Sequence, residues 1–77
     1  MEKALNLVNY DIEIEFMDRL PEDYINLLHE AEEYDKTGDY GMYFNDVDAI
    51  DIGAKMLCMN WVISEYEWRV LLSRYRL

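Results

Sequence analysis

Apolar residues recur along this chain at helical spacing in three places. In residues 46–61 they fall at Val47, Ile50, Ala54, Leu57, Cys58 and Trp61. Steps of three and four trace one face of an α-helix. Asn45 suits the N-cap, and Asp46 and Asp48 suit the positive N-terminal end of the helix. A second stripe, Trp68, Leu71, Leu72 and Tyr75, predicts a helix over 64–76. Ser64 and Glu67 fit the S-x-x-E capping box at its start, and Arg74 and Arg76 suit the dipole at its end. Only Val62 and Ile63 separate the two, so they should form a tight hairpin or corner, with Trp61, Leu57, Ala54, Leu71, Leu72 and Trp68 packed where they meet. A third helix is predicted over 21–35. Pro21 fits its first position, Glu22 and Asp23 its first turn, and Tyr24, Leu27, Leu28, Ala31 and Tyr34 its apolar stripe. Gly38 follows as a left-handed cap.

The remaining segments are less regular. Residues 39–45 read as a loop whose Tyr40, Met42, Tyr43 and Phe44 fold back as a lid over the core. The N-terminal segment 3–18 admits two readings. Asp11-Ile12-Glu13-Ile14-Glu15-Phe16 alternates as a strand does, with Tyr40–Phe44 as the best partner strand. As a helix, the same segment has Leu5, Val8, Ile12 and Phe16 on one stripe and Leu7, Tyr10, Ile14 and Met17 on another. The expected fold is mainly α, a compact bundle of three to four helices over residues 1–77. The alternative is α+β, with a short N-terminal strand or hairpin at about 5–17.

Composition narrows the class. Hydrophobic residues make up 52% of the 77, including two Trp and seven Tyr, which is too apolar for a disordered chain. The length allows one domain and leaves little interior for a deep pocket. The one cysteine, Cys58, rules out an internal disulfide. The start shows no apolar run behind a basic segment, and the longest uncharged stretch, Met56 to Ser64, falls far short of the ~20 residues that span a bilayer. A reducing cytoplasm is the expected location.

Charge changes the picture most. The net charge is −10. Residues 11–51 hold fourteen acids against Arg19 and Lys36, a balance of −12, whereas residues 52–77 balance at +2. Such a field repels nucleic acid and anionic lipid, so neither is an expected partner. It draws in basic protein surfaces and keeps the chain soluble.

Catalytic and metal-binding patterns are not found. His29 shares a polar helix face with Glu22, Asn26 and Glu33, where a hydrated surface role is expected. One Cys and one His cannot supply a four-ligand zinc site, and Cys58 stands on an apolar stripe. Asp46-Val47-Asp48 opens like a calcium loop, but Ile50 and Asp51 take the places of the fifth-position ligand and the glycine, and Leu57 that of the final Glu. There is no Gly-rich phosphate loop. Helices 46–61 and 64–76 resemble a helix-turn-helix, yet affinity for DNA comes largely from phosphate neutralisation, which this charge opposes. No enzyme activity and no cofactor are expected.

Binding is then left to the acidic surface. In the strand reading Asp11, Glu13 and Glu15 face one way, spaced by about 6.6 Å. Glu30 and Glu33 share a helix face, and Asp35 and Asp39 carry the charge onward. With the aromatics Tyr40 and Tyr43, these are the candidate partner-binding residues. In type, a tiny acidic one-domain chain is similar to phage and mobile-element inhibitors, the anti-CRISPR and anti-restriction DNA mimics. The likeness is one of composition. It implies an inhibitor or modulator that occupies the nucleic-acid groove of a basic host protein. The alternative is a structural or assembly module that acts by homodimerisation or aromatic docking.

Overall fold

The computed structural model describes residues 4–75. Its helices are α1 (Glu22–Thr37), α2 (Tyr40–Met59) and α3 (Glu65–Tyr75), preceded by a single 3-10 turn at Met17–Arg19. The fold is mainly α and forms one domain. No strand occurs among the described residues. The molecule is elongated, with a long dimension of 42 Å, and α2 is its longest helix, 20 residues extending about 30 Å at 1.5 Å per residue. α1 and α3 both pack against α2.

The end of α1 and the start of α3 form as the sequence predicts; the predicted end of the last helix, at 76, lies outside the described residues. Gly38 adopts φ 80° and ends α1, with the N–H groups of Gly38 and Asp39 both donating to Tyr34 O at 3.0 Å. Pro21 stands one place before the first helical residue. The capping box opens α3 reciprocally: Ser64 N donates to Glu67 Oε1 at 2.9 Å and Glu67 N to Ser64 Oγ at 3.1 Å.

α2 differs from its expectation at both ends. It starts at Tyr40, so the expected lid at 39–45 is its first turns, and Asn45 lies inside the helix. The cap is Asp39, whose Oδ1 accepts from Met42 N at 3.2 Å. Tyr40 stacks on Phe44 one turn on, with ring centroids 4.5 Å apart, which supports a helical start. At the other end α2 stops at Met59. Trp61 takes φ 63°, its N–H donates to Cys58 O at 3.1 Å, and Val62 N donates to Leu57 O at 2.9 Å. This is a Schellman turn with tryptophan where glycine usually stands. It swings Trp61 out of the expected core to 93% exposure and carries Ile63 in instead. Leu57, Leu72 and Trp68 are half-buried, while Ala54 and Leu71 are buried as expected.

The N-terminal segment is neither of the two predicted forms: residues 4–16 contain no helix and no strand. Side groups and chain ends of the helices satisfy its backbone in place of a partner strand. Leu5 N donates to Asp35 O at 2.8 Å, Leu7 N to Asp35 Oδ1 at 2.8 Å, and Asn9 N to Arg74 O at 2.8 Å. Arg74 Nη1 donates to Ile12 O at 2.5 Å. The alternation survives as burial: Asp11, Glu13 and Glu15 are exposed, Ile12 and Ile14 half-buried, and Phe16 buried. Turns at 10–11 and 15–16 break the segment, the first closed by Ile12 N donating to Asn9 O at 3.2 Å, so the alternation marks which side chains meet the helices and not a strand.

Candidate functional site

The candidate acidic residues separate into surface and structural groups. Asp11, Glu13 and Glu15 are exposed on the N-terminal segment, and Glu30 and Glu33 are exposed on α1. Glu13 and Glu15 line an open groove of about 630 Å³ between this segment and α3, whose other walls include Phe16, Arg19, Tyr66 and Val70. Asp39 is exposed but caps α2, and Tyr40 is 65% exposed.

Two candidates are not surface groups. Asp35 is 2% exposed. Its carboxylate accepts from Leu7 N at 2.8 Å and Val8 N at 3.4 Å, fixing the N-terminal segment to α1. Tyr43 is fully buried and donates its hydroxyl to Tyr75 O at 3.1 Å, tying α2 to the end of α3. Asp35 follows Tyr24, Leu28 and Ala31 at helical spacing, so the buried stripe of α1 runs through it. That spacing was the available signal.

Electrostatics of the surface follow from how the basic side chains are used. Arg19 pairs with Glu67 and donates to Val62 O at 3.3 Å. Arg69 pairs with Glu65 at 2.8 Å, and Lys36 reaches Glu33 at 3.8 Å. Arg74 lies against Glu32 at 3.4 Å and over the rings of Tyr10 and Tyr75. Tyr75 also donates its hydroxyl to Glu32 Oε2 at 2.6 Å. Its phenol is pushed up by burial first and then by that carboxylate. The backbone N–H of Ser64 and the Arg19 guanidinium hold Glu67 below the usual carboxylate range. Apart from Lys55, the Lys and Arg side chains among the described residues are therefore paired within the chain, and Asp11, Glu13, Glu15, Glu22, Asp23, Glu30 and Glu33 face solvent.

One buried acid was not anticipated. Asp46 is 5% exposed, and its Oδ2 meets no donor. Its neighbour is the carboxyl of Glu30. Burial, then contact with Glu30, raises the Asp46 pKa to about 6.

His29 is exposed on α1, and Cys58 is half-buried. Among the described residues no group of three acids, histidines or cysteines is placed to hold a metal ion, and no helix is long and apolar enough to cross a membrane. No family model, curated protein or solved structure matches the chain.

Proposed function

We propose that this protein is an acidic binding module that inhibits or modulates a basic protein partner by occupying its nucleic-acid-binding surface. One observation carries the reading. Arg19, Lys36, Arg69 and Arg74 are each paired within the chain, Lys36 with Glu33 itself, while Asp11, Glu13, Glu15 and Glu30 stay exposed on a folded frame. Charge at such a surface speeds encounter and selects basic partners. Each exposed ion pair contributes only about 0–1 kcal/mol, so affinity would come from several together. A reducing cytoplasm suits the unpaired Cys58.

The test is capture from the cells that make the protein, using the parent and a variant carrying Glu13→Lys, Glu15→Lys, Glu30→Lys and Glu33→Lys. All four positions are exposed, so the variant should fold, and circular dichroism checks that it does. The parent should retain a basic protein that salt elutes and duplex DNA displaces, and the variant should not retain it. Equal retention by both would overturn the proposal.

A further inference from the structure

The outer face of α2 is apolar where a surface helix is normally polar. Tyr43, Val47, Ile50 and Ala54 point into the core. On the opposite side Ile52, Met56 and Met59 are 63%, 57% and 69% exposed. A helix with apolar residues on both faces is normally covered on both. Lys55 and Asp48 are the two charges on this outer face, and the exposed Asp51 lies on its flank. The face is thus close to neutral on a protein of charge −10. A basic partner would be drawn to the acidic surfaces instead. A second copy can approach here without bringing like charges together.

The order of residues along the face is self-complementary. Asp48 and Lys55 lie seven residues apart, two helical turns, on either side of Ile52. An antiparallel two-fold pairing of α2 with α2 places Asp48 of each copy against Lys55 of the other and Ile52 near the axis. The same register sets Met59 of one copy opposite Phe44 of the other, and Gly41 opposite the Trp61–Val62 turn that ends α2. Gly41 is exposed, has nothing within 4 Å of where its Cβ would lie, and lacks the positive φ that would require glycine. Its own fold gives no reason for it, and a helical glycine costs about 1 kcal/mol relative to alanine. Trp61, 93% exposed, follows just beyond Met59 at each end of the seam. We infer that the protein forms an isologous homodimer through an antiparallel α2–α2 seam centred on Ile52.

Sedimentation equilibrium over roughly 1–200 µM tests this, since one helix seam implies a micromolar dissociation constant. The parent should dimerise, and added salt should not weaken the dimer, because it screens the repulsion between two acidic protomers. Ile52→Asp should weaken the dimer at least about tenfold by burying an unpaired charge at the axis. Asp48→Lys and Lys55→Asp should each weaken it, and the double swap should restore it, as only an antiparallel two-fold requires. All of these positions are exposed, and circular dichroism reads folding independently. A monomer throughout the range overturns the inference. So does a dimer indifferent to Ile52→Asp, or a double swap that fails to restore association. A monomer that instead binds a Leu/Lys amphipathic peptide through Ile52 would assign the face to a basic helix and equally overturn it. None of these results depends on the acidic face engaging a partner.

Discussion

Replacing Asp35 by alanine separates a structural acid from the binding acids around it. Asp35 is buried, and its carboxylate accepts one short bond from Leu7 N at 2.8 Å and one long bond from Val8 N at 3.4 Å. Hydrogen bonds to a charged group contribute about 1.5–3 kcal/mol, and a buried donor left without a partner loses about 1–3 kcal/mol. Counting the short bond fully and the long one weakly gives an expected loss of about 2–4 kcal/mol. At roughly 4–8 °C per kcal/mol for a domain of this size, the melting temperature should fall by about 8–32 °C. Urea denaturation at neutral pH measures the free energy directly. Amide hydrogen exchange at Leu7 and Val8 reports the local effect, with protection in the parent and its loss in Asp35→Ala. Asp35→Asn keeps one acceptor oxygen and should fall between the two. A loss within ~0.5 kcal/mol, the range of ordinary surface substitutions, would refute the clamp and return Asp35 to the binding surface.

Three further outcomes follow from the same structure. The folded-state pKa of Asp46 lies above its unfolded value of 3.8, so its charged form opposes folding: stability should rise as pH falls from about 7 through 6 towards 4, and Asp46→Asn should raise stability at pH 7 by roughly 1–3 kcal/mol while flattening that dependence in thermal melts. Trp61→Gly should stabilise by about 1 kcal/mol in urea denaturation, since glycine takes φ 63° without strain and the exposed indole gives up little packing. Gly53→Ala should destabilise by about 1 kcal/mol despite alanine's better helix propensity, because the new Cβ would lie 2.5 Å from Cε1 of Tyr24, whose ring is held by its hydroxyl donating to Ile50 O at 2.7 Å.

Local signals carried most of the helical fold. Pro21, Gly38 and the Ser64–Glu67 box act within one turn, and each marks an end close to where the helices start or stop. The start of α2 is obscured because Asn45 with Asp46 and Asp48 also fits a helix start, whereas the Asp39 cap and the Tyr40–Phe44 ring contact settle 40–45 as helix. The N-terminal segment is set by long-range bonds to Asp35 and Arg74, which periodicity within 3–18 cannot express. The same limit applies to the acidic candidates. Asp35 has the same charge as Glu33 but sits on the buried stripe, and only the packing of the segment over α1 shows what it holds. Spacing alone predicts Trp61 in the core, and its own left-handed backbone past the end of α2 turns it out to solvent.

The claim that the exposed carboxylates bind a basic partner is tested most directly by the salt dependence of affinity for the captured protein, with and without duplex DNA. The account predicts that affinity falls steeply as monovalent salt rises from about 50 to about 200 mM, that DNA competes for the same surface, and that the Glu13, Glu15, Glu30, Glu33 reversal removes both effects. An affinity unchanged across that range, with DNA and this protein bound to the partner together, would contradict it.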